Sequence, residues 1–454
     1  MSRRAPLALL LAVSLALPLL ADDGELDPAF WMDGTVAIDV SADAIFGGLA
    51  SDVEGQLAVA YSYVPPTGGV EVGVWRGVAD LSLANVCVVE PYSGGVRNTR
   101  VFDIAFDAYG RLLVLARESY VDPVMGGMEA WYVLAYSFPA CALDTAFSGD
   151  GIATLYSWNM AGLSGSSRLR PLADGPTLVT GSSLGGSPPG CRVHVIVLEP
   201  NGGTGSTYCA PPDAFPVAAY GTDSVMTPNG HLVSIAGYDD FFVVDFDAAG
   251  TLAGVTTVAF DLPGGDFVDT PNSIAGTEDG RVVVAGTAEG SDSGPYYTYA
   301  AVAMLHWDAQ GELELDSDFS GDGKLSFTFG GRAFNELEDL VVQGDGRILV
   351  AGNARYFASA YNRGMAVARL LFDGDFDSDF FPSEPGWRIV DFDVAPPAHD
   401  RSYRVGLQNG RVVLAGSVDI TDGIDSVGVA RLLNSYVFAD GFEAPQAPGW
   451  LWVE

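Results

Sequence analysis

Short apolar runs rich in Val, Ile, Leu and Ala alternate along this chain with polar turn clusters, and one boundary between them recurs. A glycine, usually after Asp or Asn, is followed by a polar residue and an apolar run at Gly55, Gly110, Gly175, Gly230, Gly280, Gly346 and Gly410. EGQLAVAY, YGRLLVLA, DGRVVVAG, DGRILVAG and NGRVVLAG show the pattern. The interval is 50–66 residues, a repeat period too variable for a fibrous solenoid. Asp-Gly or Asn-Gly between two apolar runs predicts a tight hairpin of type I′, whose two central residues take positive φ.

A third apolar run follows each hairpin after a variable loop: VGVWR at Val72, WYVLAY at Trp131, VHVIVL at Val193, FFVVDF at Phe241, AVAMLHW at Ala301, AVARLL at Ala366 and VGVARLL at Val427. A fourth run closes several repeats, as in IATLYS at Ile152, KLSFTF at Lys324 and RIVDFDV at Arg388. Four strands per roughly 60 residues, without helical periodicity, describe a propeller blade. The predicted fold is therefore all-β, a seven-bladed β-propeller of four-stranded antiparallel blades spanning residues 22–434. The chain opens on a fourth-type run, TVAIDV at Thr35, and its last repeat ends on a third-type run. One phasing has the N-terminal strand complete the last blade and remove the exposed edges. The other phasing starts each blade at the fourth-type strand and needs no such exchange.

A second punctuation stands between third and fourth runs: LDPAFWMDGTV at Leu26, LDTAFSGDGIA at Leu143, LDSDFSGDGKL at Leu315 and FDSDF at Phe376. Together with DGRILVAG and VARLLFDGD, it resembles the bacterial delta-60 repeat, a β-propeller repeat of secreted and surface proteins. The likeness is strongest from Pro271 to Leu433; LANVC at Leu83, the Cys209 segment and TLAGV at Leu252 depart from it. The resemblance implies a fold and an exported location and brings no catalytic residues with it. Asp440-Gly441-Phe442-Glu443 is also similar to a short terminal motif of exported proteobacterial proteins.

Residues 1–21 read as a signal peptide: Arg3 and Arg4, an apolar stretch to Leu20, then Ala21 before Asp22-Asp23. Residues 435–454 form a short tail. No later run reaches the roughly 20 apolar residues of a membrane span. The expected location is secreted, periplasmic or on the cell surface of a bacterium. Without Arg3 and Arg4 the chain carries 20 basic against 58 acidic side chains, which disfavours nucleic acid as a partner. With 48% hydrophobic residues, the acidity does not imply disorder. In an exported chain, Cys87, Cys141, Cys191 and Cys209 suggest two disulfides, of which three connectivities can be written. Cys191 and Cys209 flank one hairpin and are expected to pair, leaving Cys87 with Cys141. Zinc is the weaker reading, since no CxxC or nearby His pair is present.

Candidate chemistry is sparse. His231 occupies the slot held by Arg111, Arg281, Arg347 and Arg411, so it belongs to a series. His194 and His306 fall within strands, and His399 in a Pro-rich connector. The G-x-S-x-G match at Gly181–Gly185 lacks the helix that a nucleophile elbow needs. Asp316, Asp318 and Asp322 crowd one turn, a grouping that calcium can use, although Asp also caps turns by itself. No other cofactor is expected.

The Asp-Gly turns and the L-D-x-x-F turns share one face of the disc; the loops between second and third strands lie on the other. Those loops carry Tyr63, Tyr120, Tyr296, Tyr297, Tyr356, Tyr361 and Arg363, residue types favoured at protein and carbohydrate contacts. The sequence thus favours a monomeric, non-enzymatic binding or surface-interaction module for an extracellular protein or glycan. A hydrolase or lyase with its site in the central channel is the competing class, and a structural cell-envelope component a third. A channel enzyme should break the repeat with singular polar residues on its inner strands. Three or more convergent acidic or histidine side chains in that channel, from different blades, would overturn the binding reading. The visible breaks fall mostly in loops and at cysteines.

Overall fold

The computed structural model describes residues 23–434 except 32, 39–43, 64–70, 78–86, 90–97, 123–125, 138–139, 156–166, 184–189, 238, 265–267, 292–296, 356–362, 385, 393–399 and 422–423. The expected leader at 1–21, the expected tail at 435–454, and Tyr296, Tyr356, Tyr361 and His399 lie outside the described residues. The described strands build an all-β propeller of four-stranded antiparallel blades. They fall into seven sheets, at 44–89, 98–155, 168–210, 220–258, 270–327, 334–390 and 401–432. Six use consecutive strands. The seventh takes its outer strand, Thr35–Ile38, from the other end of the chain, paired antiparallel with Ile424–Leu432 from Thr35↔Ala430 to Ile38↔Val427. Of the two phasings, this pairing is the exchanged one. No described helix is long and apolar enough to cross a membrane.

The unbroken apolar runs of the third strands follow from burial on both faces. In Phe241–Phe246, Phe241 and Val243 pack with Val284 and Ala301 of the fifth sheet, while Phe242 and Val244 pack with Val193 and Val195 of the third. Alternate side chains of one strand thus serve two cores. Such a core lies between each pair of consecutive sheets. A further one joins the last sheet to the first, with Val413, Ala415 and Val427 against Phe46, Leu57 and Val59, and with Phe30, Val36 and Ile38 filling in.

The hairpins differ from the type I′ expectation. At 107–111, Gly110 N donates to Asp107 O at 3.0 Å and Asp107 N to Arg111 O at 3.0 Å. Gly110 has φ +73° and Tyr109 has no positive φ. This is a three-residue loop, a type I turn closed by one left-handed glycine. The turns ending at Gly55, Gly175, Gly230, Gly280 and Gly346 repeat both bonds. Only Asn409 and Gly410 are both positive, at +48° and +78°, and their hairpin is one residue shorter.

The two recurring turns are joined by an ion pair. Arg281 Nη1 lies 2.8 Å from Asp316 Oδ2, Arg347 Nε 3.1 Å from Asp377, Arg111 Nη1 3.6 Å from Asp144, and Arg411 Nε 3.7 Å from Asp27. The acid of each L-D-x-x-F turn also caps the backbone two residues on, and its Phe is buried. In the fourth sheet, which lacks that turn, His231 Nδ1 meets Asp245 Oδ1 instead at 2.8 Å. Arg411 and Arg431 both reach Asp27, so the same device ties the last sheet to the N-terminal segment.

Candidate functional site

The first strand of each sheet lines the central channel: Ala44–Ser51, Asn98–Phe106, Arg168–Pro171, Tyr220–Met226, Thr270–Gly276, Phe334–Val342 and Arg401–Gln408. Register places Gly48, Asp103, Arg168, Asp223, Ser273, Asp339 and Arg404 at equivalent positions, opposite Ala60, Leu115, Thr180, Ile235, Ala285, Ala351 and Ala415. Three aspartates from three sheets therefore converge in the channel, the feature expected of a channel enzyme. Their bonds assign them another role. Each accepts a backbone N–H from the next sheet along the chain: Asp103 Oδ2 accepts Leu169 N at 2.9 Å, Asp223 Oδ2 accepts Ile274 N at 3.3 Å, and Asp339 Oδ2 accepts Val405 N at 3.0 Å.

Their other oxygens face cations or a hydroxyl. Arg404 Nε lies 3.3 Å from Asp103, Arg168 Nη2 3.4 Å from Asp339, Arg170 Nε 3.0 Å from Asp223, and Ser273 Oγ donates to Asp339 at 2.9 Å. Burial pushes the Asp339 carboxyl up, but Arg168, Arg404 and Arg170 outweigh it and hold it below the usual range. Asp223 likewise overcomes burial to raise Arg170. Carboxylates saturated in this way splice neighbouring sheets and have no free oxygen with which to move a proton. At Gly48 a Cβ would lie 2.8 Å from Ile104 N, so that position admits no side chain at all.

Above this girdle lies a cavity of about 640 Å³. Six of the inner strands carry a β-bulge just before the girdle position, and the extra residues are Gly47, Phe102, Thr222, Asn272, Glu338 and Tyr403. All six line the cavity. A bulge re-aims one side chain out of the ladder, and here it does so toward the channel axis. These residues are chemically unlike one another, which corrects the expectation that departures from the repeat fall mostly in loops and at cysteines. Gly237 and Ser417, at the ends of second strands, also border the cavity, so it opens on the face that bears the variable loops. Phe46 stacks on Tyr403 at 5.8 Å between ring centroids, and Arg100 lies 5.1 Å from the Phe102 ring. Desolvation, with Glu336 nearby, pushes the half-buried Glu338 carboxyl up to about 7.

The predicted site residues are placed as follows. Tyr63 ends a second strand, half-buried against the Tyr61 ring, and Tyr297 begins a third strand. Tyr120 lies in the strand Arg111–Asp122. Arg363 begins a third strand, with Nη2 3.9 Å from Glu336. Tyr63, Tyr297 and Arg363 do not border the cavity, and the Tyr120 side chain lies outside the description. Asp316 is taken by Arg281, whose hydrogen bond and charge hold its carboxyl low against a burial effect that raises it; Asp322 Oδ1 caps Lys324 N at 3.0 Å. Among the described residues no group of three His, Cys, Asp or Glu side chains is placed to hold a metal ion. Cys191 and Cys209 form a disulfide with Cα atoms 5.3 Å apart, and Cys141 is disulfide-bonded too. The Cys87 side chain lies outside the description. Of the histidines, burial lowers His194 to about 4, and His306 Nε2 meets Glu314 at 3.2 Å. Ser182, in the G-x-S-x-G stretch, is buried, with its hydroxyl bonded to Arg192 O and accepting Gly221 N.

Sequence reasoning missed the girdle and the bulge residues, yet a signal exists. Counting seven residues back from each of the first six turn glycines gives Gly48, Asp103, Arg168, Asp223, Ser273 and Asp339.

Residues 343–380, which span the hairpin and the F-D-S-D-F turn of the sixth sheet, match the family described as a domain of unknown function (DUF5122) beta-propeller. No curated protein matches the chain. Among solved structures, it is similar to a protein of unknown function from Dyadobacter fermentans, with 12% identity over 88% of this chain and 98% of that one and a TM-score of 0.42. It is also similar to a protein of unknown function from Bacteroides caccae, with 10% identity over 76% and 86% and a TM-score of 0.31. The β-propeller domain of the Trilobed protease from Pyrococcus furiosus shares 8% identity over 86% and 95%, with a TM-score of 0.43.

Proposed function

We propose that this chain is an exported, monomeric binding module: a seven-bladed propeller closed into a ring by its N-terminal strand, taking a ligand at the channel mouth among the variable loops. The observation that carries the reading is the cavity walled by bulge residues from six inner strands, five of them bearing re-aimed and mutually unlike side chains, above a girdle whose carboxylates are all engaged. A concave site with aromatic walls and a few convergent polar groups is what ligand pockets share. The ring closure is supported by the Thr35–Ile38 pairing and by the core between the last and first sheets. Export is supported by the basic-apolar-Ala leader and by the Cys191–Cys209 disulfide. Binding is favoured over channel catalysis because the convergent aspartates are neutralised in place. Calcium at the Asp316 turn is not part of this reading, since Arg281 occupies that carboxylate.

The test is a glycan array and a small-molecule screen with the secreted chain, repeated with Tyr403→Ala at the cavity wall and with Tyr297→Ala on the loop side. Loss of about tenfold or more in affinity with Tyr403→Ala, at an unchanged melting midpoint, is expected. Ligands that ignore Tyr403→Ala and respond only to Tyr297→Ala would move the site to the loops and overturn the channel reading.

A further inference from the structure

The chain has 58 acidic and 22 basic side chains, so an arginine can find a carboxylate almost anywhere on it. On the turn face arginines do so: Arg111, Arg281, Arg347 and Arg411 each lie within 3.7 Å of a turn aspartate. Arg100 does not. It borders the channel cavity, its Nε is buried without a hydrogen-bond partner, and among the described residues no carboxylate pairs with it. Its neighbour directly across the ladder is another cation, Arg117, and both guanidinium groups lie over the Phe102 ring, at 5.1 and 5.3 Å. Like charges directly opposite on a sheet repel, and Arg100 is the member of the pair that borders the cavity.

The rest of the wall fits the same ligand. Arg404 and Arg168 border the cavity from above their girdle partners, and Phe46, Phe102 and Tyr403 supply ring faces on the adjoining strands. Glu338, the carboxylate on this wall, is held up to about 7 and opposes an incoming anion weakly at neutral pH. Burial and Arg117 both lower Arg100, a cost that a bound anion relieves.

We infer that the channel mouth is an anion site, taking one carboxylate carried on a ring, with the carboxylate on Arg100 and the ring against Phe46, Phe102 and Tyr403. This rests on the channel mouth being the binding site. The acid could be a sugar acid or an aromatic acid, and the two arms of the test separate them.

Calorimetry on the secreted chain would compare glucuronate with glucose and benzoate with benzyl alcohol, at low and high salt. At least one acid should saturate with a dissociation constant near or below about 1 mM. Its neutral counterpart should bind at least about tenfold more weakly, and added salt should weaken the acid. Arg100→Gln should lose about tenfold of the acid's affinity, the order expected for one charge-assisted pair. The acid should raise the melting midpoint of the native chain but not that of Arg100→Gln, which must itself melt no lower than the native chain. Neutral compounds that bind as well as the acids, and that are lost in Tyr403→Ala but kept in Arg100→Gln, would overturn the anion inference and leave the channel reading standing. Acids bound equally by both variants and the native chain would overturn both.

Discussion

Asp400 is 1% exposed, with Oδ2 accepting Phe392 N at 2.9 Å and Oδ1 buried without a partner. Desolvation raises its pKa to about 7, helped by Asp391 and Asp419. Asp269 stands at the equivalent place in the fifth sheet, bonded to Phe260 N and raised by burial to about 6. In the sixth sheet that place holds Asn335, whose Oδ1 accepts Phe329 N at 2.9 Å, so the bond needs an oxygen and not a charge. Because the folded pKa values lie above the unfolded ones, the folded state binds more protons between about pH 4 and 7, and stability falls as pH rises through that window. Asp316 and Asp339 are shifted low and act the other way, losing their contribution only in stronger acid. The melting midpoint should therefore drop between pH 5 and pH 8. Asp400→Asn should reduce that drop by an amount on the order of 1–2 kcal/mol while keeping the bond to Phe392. An unaltered pH profile in that variant would count against a charged-state cost at Asp400.

At the scale of the element, the repeat is a hairpin turn and an L-D-x-x-F turn locked by an arginine. The sequence displayed both turns and the arginine series, and it placed them on one face of the disc. It did not display their pairing, because Arg111, Arg281 and Arg347 stand 30–35 residues before their aspartates, Arg411 pairs with Asp27 near the other end of the chain, and nothing local links them. The turn type was misread for a different reason. Asp-Gly and Asn-Gly favour type I′, but a three-residue loop asks for only one left-handed residue, and the glycine alone satisfies it. Loop length decides between the two, and the sequence gives no register from which to count it. The pairing predicts a coupling: in a double-mutant cycle, Arg281→Gln and Asp316→Asn should interact by roughly 1–2 kcal/mol, the double mutant costing less than the sum of the two single changes. Strict additivity in thermal or urea melts would show that the contact at 2.8 Å contributes nothing to stability.

At the scale of the whole molecule, the four-stranded blade pattern was legible because a period of about 60 residues survives every local irregularity, while the strand exchange was one of two phasings that the sequence allowed. The channel was not, because a bulge that turns Phe102, Glu338 or Tyr403 toward the axis is a property of register and leaves no composition signal. The exchange of Thr35–Ile38 carries its own prediction. Removing residues 1–39 strips Asp27 from Arg411 and Arg431 and Asp23 from Arg369, and it bares the edge of Ile424–Leu432. Such a truncation should aggregate, and adding residues 23–40 as a peptide should recover soluble, compact chain by gel filtration. A monomeric truncation with the native melting midpoint would show that the exchange is dispensable.

The girdle also obeys a rule of parity. In the closed ring of seven that we propose, acids and bases cannot alternate throughout as they could around an even ring: somewhere two neighbours share a sign or one is blank. In this chain Asp103, Asp223 and Asp339 alternate with Arg168, Ser273 and Arg404, and the odd place falls to Gly48. Arg404 spans that gap to reach Asp103 and the Phe102 carbonyl, both at 3.3 Å. Ser273 is already an uncharged place, so the blank at Gly48 follows from the Ile104 backbone that crowds it, and a charge introduced there would share its sign with either Arg404 or Asp103 beside it.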